Sequence, residues 1–535
     1  MNEYTPSAEQ ANFYRFLKVS DKSVVLEAVA GAGKTETLAR AVVDMPGYTT
    51  VMMFNKSAAE EFKSRLVRLG GATQEGNRIY TRKGLVVGTC HSVGLGVYKK
   101  WAGDSFDVTD RKVDAIIDNM CLDPDLNAEQ AGTLVDGATF IKKAVSLAKQ
   151  MLFGVTRQGR LRPHNDIELW LRMAQHYSID SDLTEDMDVA QLTQLAIRVF
   201  EKSRDLCRPS SDRRSVIDYD DMIWAPLAFN CRFFTVDNVV GDEWQDANPA
   251  RLELAARCLK PRGRMVACGD RRQAIYMFTG ASSDSLDQTA KRFDAVRMPL
   301  TVTYRCPRQV VKFANTWMPE MVAHDGAAEG EVRSVLTEKP AKGKARPWYQ
   351  VEALLPTDAI LCRYNKPLVE TAFKLIKAGT ACKMEGRDIG QGLVSLVKRL
   401  KAKTIDALEA RLEKWLDKEV AKARAKKSET REQSVRDRAE CIMVFANSCK
   451  EGGQTKVECV ISKIEMLFAD DVKGILTLAS GHKAKGREWS RVYWIQVQDP
   501  QRELQPHEEE QERNVKGVIA SRAQQTLVLV PMEAK

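Results

Sequence analysis

The stretch Ala28-Val29-Ala30-Gly31-Ala32-Gly33-Lys34-Thr35 has the composition of a loop that holds phosphates. A strand-type run, Ser23 to Glu27, leads into it, and a helix-type pattern, Glu36 to Val43, follows. Strand, glycine-rich turn and helix let backbone N–H groups curl around a phosphate chain, with the positive end of the helix behind them. Ala30, Gly31, Ala32 and Gly33 form the turn. Lys34 would bring a full charge to the β- and γ-phosphates, and the Thr35 hydroxyl would ligate Mg²⁺. Nucleotide binding follows from this stretch; what the nucleotide drives does not.

Other residues have types that suit the same chemistry. Asp242-Glu243 closes the apolar run Phe233 to Val240. Beside a phosphate loop, Asp242 could hold Mg²⁺ and Glu243 could polarise the attacking water. Gln273 follows the strand-type Arg264 to Cys268 and Gly269-Asp270, and could sense the γ-phosphate. Arg305 and Arg522 could stabilise charge on the transferred phosphoryl group, although a single arginine is ordinarily a surface residue. Gln10, in a short helix pattern with Phe13, Phe16 and Leu17, reads on its own as solvent-facing.

The elements that must position these residues alternate. Thr49 to Phe54 and Leu85 to Thr89 are strand-type, with a helix between them that Ser57 and Glu60 could cap. This β-α-β-α-β order is the grammar of a parallel sheet with ligands at its strand ends. Residues 99–213 break the rhythm with helix-period apolar spacing and read as an all-helical insertion. The sheet is expected to resume at Ile217 to Ile223, and a second sheet domain to begin beyond 281. Residues 391–439 are charged and amphipathic, their basic excess best read as a solvated face. The predicted fold class is α/β.

Composition sets outer bounds. The 535 residues exceed one hydrophobic core. Lys plus Arg is 81 against 72 Asp plus Glu, a net +9, which permits a polyanionic partner without requiring one. No apolar run is long enough for a membrane span, and the N-terminus has no export signal, so a cytoplasmic, nucleoid or nuclear location and no membrane partner are expected. The twelve cysteines have no zinc-type spacing and are expected to be reduced, mostly buried thiols.

Read together, these stretches resemble the UvrD/Rep family of superfamily 1 DNA helicases. The resemblance runs through Gln10, the loop at 28–35, FNKSAAEE (54–61), GTCHS (88–92), IDYDDMI (217–223), GDEWQD (241–246), GDRRQAIYMFTGA (269–281), TYRCP (303–307), ILCRYN (360–365), SGHKAKGREW (480–489) and QERNVKGVIASRA (511–523). FNKSAAEE and the opening of the last motif lean toward the branch that includes F-box helicases. The resemblance implies two RecA-like phosphate-loop domains (1–98 with 214–280, and 281–384 with 475–535), a helical insertion at 99–213, and a reduced second insertion at 385–474. It implies ATP between the two domains, with Gln10 and Tyr304 at the adenine. Lys34, Thr35, Asp242, Glu243, Gln273, Arg305 and Arg522 would surround the phosphates and metal, with Glu36 just past the loop, Gly486 near the γ-phosphate and Glu488 at the ribose. Asn55, Thr89, His91, Tyr276, Phe278 and His482 would lie along DNA. The family commonly has Trp-Arg where this chain has Phe278-Thr279, and Arg where it has Glu36. The activity implied is ATP-driven translocation on single-stranded DNA, 3′ to 5′, opening single-strand/duplex junctions. The alternative is a translocase that strips proteins from DNA with little unwinding. Protein partners are not specified.

Overall fold

The computed structural model describes residues 4–531, apart from 77, 124–127, 158, 178, 180–187, 275–283, 337–346, 379, 426–428, 469–474 and 498–505. Two compact units are formed. One runs to Thr301 and the other from Val302 onward, with Ala30–Ala32 grouped with the second.

The first unit is built on a six-stranded sheet in the order Val296–Leu300, Val24–Ala28, Leu259–Gly269, Val236–Gly241, Thr49–Met53, Leu85–Thr89. Every neighbouring pair is parallel. Val24, Val25, Leu26, Val51, Met52, Val239, Val240 and Met265 through Cys268 are fully buried. Covering on both faces is why these strands read as unbroken apolar runs rather than alternating ones. Because all six run one way, Ala28, Met53, Thr89, Gly241 and Gly269 end on the same edge of the sheet. That edge is where an open parallel sheet takes ligands.

Two expectations about this sheet are corrected. Val296–Leu300 pairs with Val24–Ala28 and is the sheet's outer strand, so the first unit extends to Thr301 rather than ending at 280. Its alternating exposure and its Pro299 suit an edge, and hid its membership from a search for apolar runs. Nor does the sheet resume at 217–223. Ser215–Ile217 pairs with Phe106–Val108 in a separate two-stranded ribbon. Tyr219–Ala228 is a helix, opened by a capping box in which the Asp218 carboxylate accepts from the Asp221 N–H and the Asp221 carboxylate from the Asp218 N–H.

Between these ribbon strands lie Lys112–Cys121, Ala128–Asp136, Ala138–Gln150, Ile167–His176 and Val189–Leu206, all helices. The expected all-helical insertion also contains the hairpin Thr156–Arg157/Arg160–Leu161. Phe153, Trp170, Phe200 and Trp224 pack edge to face at centroid distances of 5.2–5.6 Å, and the Trp224 indole N–H donates to the Phe153 carbonyl at 2.7 Å. Under them Lys112 Nζ reaches Asp221 at 2.6 Å, and Lys149 Nζ reaches Asp218 and Asp221 at 2.6 and 2.7 Å. Lys112 and Asp221 are wholly removed from solvent.

The second unit has its own six-stranded parallel sheet, ordered Glu331–Ser334, Ala523–Val530, Trp489–Ile495, Ala359–Cys362, Leu476–Ser480, Cys382–Met384. The two short outer strands were not legible as apolar runs. Helices Arg387–Arg399, Ile405–Ala425, Glu429–Glu451 and Val457–Leu467 pack their apolar faces with this sheet into one core. All twelve cysteines are free thiols, nine of them buried. Among the described residues no helix is long and apolar enough to cross a membrane.

Candidate nucleotide site and nucleic-acid face

Strand Val24–Ala28 delivers the loop, and Lys34–Asp44 is the helix behind it. Gly33 is the helix N-cap with φ 72°, a left-handed conformation that a side chain would strain. Lys34 is buried. Burial alone would lower its pKa, but the charges of Glu243 and Asp270 outweigh it and the pKa is raised, so the ammonium stays charged.

The Thr35 hydroxyl donates to Asp242 Oδ2 at 2.8 Å. Asp242 ends its strand buried, and its carboxyl is pushed up to about 6 by burial and then by the Glu243 charge. A hydroxyl and a carboxylate this close, with more negative charge than the site neutralises, are hard oxygen donors that fit Mg²⁺. That ion needs only one or two protein ligands, its other positions going to water and phosphate oxygens.

Glu243 follows with φ 50° and ψ 40°, left-handed backbone that a non-glycine residue rarely adopts. Gln245 Nε2 donates to Glu243 Oε2 at 2.5 Å, and Gln245 Oε1 accepts from the Asp270 N–H at 2.9 Å. Gln273 Nε2 then donates to Asp270 Oδ2 at 2.6 Å. The candidate base and the candidate sensor are therefore ends of one hydrogen-bonded chain, Glu243–Gln245–Asp270–Gln273, buried beyond Glu243. A side-chain carbon on Gly269 would come within 2.6 Å of Gln245 Oε1, so the close approach requires glycine there. The sequence alone assigns Gln245 and Asp270 no role. Their only signal was that each lies inside a motif, two or three residues from the residue it positions.

Gln10 is not solvent-facing. It is 3% exposed, closes a capping box with Ser7, and donates from Nε2 to Thr37 Oγ1 at 3.0 Å, beside the loop. Glu36 turns toward Arg40 (2.9 Å), Arg65 (3.1 Å) and Arg68 (3.7 Å), tying two helices together.

At the neighbouring strand ends, Asn55 caps Lys56–Arg68 by accepting from the Ala58 N–H at 2.8 Å. Thr89 caps Cys90–Ala102 by accepting from the Ser92 N–H at 3.1 Å. Met53 and Thr89 are in register, so Asn55, Thr89 and His91 are brought to one edge of the sheet. His91 is held down to about 4 by burial and Arg251, a neutral imidazole at pH 7. Phe54, under the Arg251 guanidinium at 4.8 Å, lines a small crevice with Cys90, Asp242 and Glu243. Tyr276 and Phe278 lie outside the described residues.

The second unit carries the remaining candidates. Tyr304 is 46% exposed and stacks on His324 with centroids 5.3 Å apart. Arg305 Nε donates to Glu488 Oε2 at 2.6 Å. Arg522 is 1% exposed, unlike an ordinary lone surface arginine. It donates to the carbonyls of Val518 (3.0 Å) and Arg487 (3.1 Å) and to the Ser521 hydroxyl (3.1 Å). Gly486 has φ 79°, in the turn before Glu488. Burial and Arg363 hold His482 down to about 3.

A phosphate loop joined to an acidic pair at a strand end of a parallel sheet, with a second parallel sheet following in the chain, defines a nucleotide-binding protein of the RecA-like class. The model of the UvrD/REP helicase N-terminal domain matches residues 9–294, and the chain belongs to that family. It is 23% identical over 309 residues to the ATP-dependent DNA helicase Rep of Escherichia coli, covering 54% of this chain and 40% of the relative. It is 25% identical over 316 residues to the ATP-dependent DNA helicase UvrD2 of Mycobacterium tuberculosis, covering 55% and 40%. It is 22% identical over 304 residues to Rep of Salmonella typhimurium, covering 54% and 40%. The match thus spans about two fifths of the length of these relatives.

Proposed function

We propose that this protein is an ATP-dependent DNA helicase that translocates 3′ to 5′ on single-stranded DNA and separates strands at junctions. The observation that carries the hydrolytic half is the grouping of buried Lys34 and Asp242 with half-buried Thr35 and Glu243, and Gln273 linked to Glu243 through Gln245 and Asp270. Lys34 binds and neutralises the β- and γ-phosphates. Thr35 and Asp242 hold Mg²⁺, which supplies charge neutralisation on the phosphate oxygens when bound. Glu243 accepts a proton from the attacking water, and the Gln245 amide orients its carboxylate. Arg305 and Arg522 stabilise charge developing on the γ-phosphate, Tyr304 and Gln10 hold the base, and Gly486 and Glu488 line the nucleotide.

The DNA half rests on family membership and on the composition of the strand-end edge. Asn55, Thr89 and neutral His91 offer hydrogen bonds without charge, and His482 is neutral too. Such donors, with Tyr276 and Phe278 as stacking aromatics, suit a strand held by backbone and base faces regardless of sequence. Residues 99–213 and 385–474 are proposed as the accessory insertions of the two sheet domains. Strand displacement on duplexes with a 3′ or a 5′ single-stranded tail tests the reading, with opening expected only from the 3′ tail. Opening only from the 5′ tail would refute the polarity. Protein displacement from single strands without duplex opening would favour the stripping translocase.

A further inference from the structure

Helices Glu429–Glu451 and Val457–Leu467 are joined by a tight reversal. The Cys449 carbonyl accepts from the Gly452 and Gln454 N–H groups at 3.1 and 3.0 Å, and Gly453 turns the chain with φ 72°. The reversal is itself anchored, because the Ile405 N–H donates to the Thr455 carbonyl at 2.8 Å. The second helix thus returns Cys459 to the side of Cys449. Their Sγ atoms lie 3.0 Å apart, with the Cys449 thiol donating.

The two thiols are unlike. Cys449 is fully buried, in the core that holds Ile405, Leu408 and Phe445. Burial, then the Cys459 thiol, push it up to about 12. A thiol so held is not the first to meet an oxidant. Cys459 is half-buried, and its S–H donates to Gln454 Oε1. Lys463, one turn further along the same helix, donates to the Ser448 carbonyl and hydroxyl at 2.9 and 3.0 Å, which keeps a cation beside the pair. An accessible thiol next to a buried one that can resolve it is the arrangement a reversible disulfide needs.

We propose that Cys449 and Cys459 are a modification site, closed to an intramolecular disulfide by a hydroperoxide, and that the bond locks the reversal between the two helices. The Cys459 thiolate attacks one peroxide oxygen. An S–O bond forms, the O–O bond breaks, and the departing oxygen leaves as water or alcohol with the proton that Cys459 gave up. The Cys449 sulfur then attacks the Cys459 sulfur. The S–S bond forms, the S–O bond breaks, and the oxygen leaves as water with the Cys449 proton. The two thiols lose two electrons and the peroxide gains them. Closing from 3.0 Å to the about 2.0 Å of a disulfide is a side-chain adjustment, with no shift of either helix.

The test is peptide mapping by mass spectrometry of the full chain, reduced and then treated with hydrogen peroxide, with remaining thiols alkylated. The dose is one that leaves Cys121 and Cys382, the other half-buried thiols, alkylatable. The expected product is a cross-linked peptide joining residues 449 and 459, lighter than the thiol pair by the mass of two hydrogens and reopened by dithiothreitol. The oxidised chain should melt a few degrees higher than the reduced one, because the bond restricts the unfolded chain. In Cys449→Ala, Cys459 loses its resolving partner and should be trapped as a sulfenic acid by dimedone. In Cys459→Ser, Cys449 should stay reduced at the same dose. If Cys449→Ala does not fold, the wild-type map decides alone. Cys459 oxidised to sulfinic acid in the wild type while Cys449 remains alkylatable would overturn the site. A cross-link that leaves the melting temperature unchanged would overturn the locking.

Discussion

The Thr35 hydroxyl donates to the Asp242 carboxylate at 2.8 Å, joining residues 207 positions apart in the chain. Asp242 is buried beside Glu243, and ionising both costs free energy that folding must offset. Asp242→Asn is therefore expected to raise the melting temperature while removing the anionic ligand for Mg²⁺. Calorimetry of the free protein, with Mn²⁺ binding in the presence of nucleotide read by electron paramagnetic resonance, checks both halves. A lower melting temperature with Mn²⁺ binding intact would contradict the assignment.

Gln245 links Glu243 to the Asp270–Gln273 pair. Removing a group that orients a catalytic residue costs on the order of 10–100-fold in comparable sites. Gln245→Leu should lower kcat by that much with little change in nucleotide affinity, because neither Lys34 nor the loop is touched. Steady-state kinetics alongside equilibrium binding of a fluorescent ADP separates the two effects.

The buried Lys112–Asp221 pair predicts a stability defect. Lys112→Ala would leave Asp221 in the interior with Lys149 as its remaining cation, and breaking a buried pair costs about 3–5 kcal/mol. Chemical denaturation is the measurement. A loss under about 1 kcal/mol would mean that water or rearrangement satisfies Asp221.

His91 and His482 are held neutral, at about 4 and about 3. The unfolded chain protonates both nearer 6.5, so it takes up protons that the folded protein refuses. Stability is therefore full above pH 6.5 and falls as the pH drops toward 4. His91→Asn should flatten part of that fall, as seen in melting temperatures recorded between pH 7 and pH 4.

How much of this could be read before the fold was known divides along physical lines. Asp242 and Glu243 were legible because they follow the carboxyl end of a doubly covered strand, where an apolar run stops at polar residues, and Lys34 and Thr35 because they open the helix behind a glycine-rich turn. Val296–Leu300 was not, since an edge strand with Pro299 has no such run. Ile217 to Ile223 misled because a capping box of aspartates between apolar residues imitates a strand's alternation. The burial of Gln10 and Arg522, and the Gln245 link, come from tertiary contacts that spacing does not encode. Glu488 was expected at a ribose; its pairing with Arg305 at 2.6 Å likewise had no sequence signal.

That pair yields a further expectation. Arg305→Ala should cut ATP turnover by about 10³-fold, the lower range for an arginine that stabilises a transferring phosphoryl group. Its effect on the melting temperature should be small, because the Glu488 side chain is 45% exposed. Turnover within threefold of wild type would remove Arg305 from the phosphate chemistry.

The central claim is that the loop at 28–35 hydrolyses ATP in response to a DNA strand. It is tested most directly by ATP turnover with and without single-stranded DNA, in the wild type and in Lys34→Ala. The account predicts strong stimulation by the strand in the wild type and its loss, with basal turnover, in the variant. Unchanged strand-stimulated turnover in Lys34→Ala would contradict it.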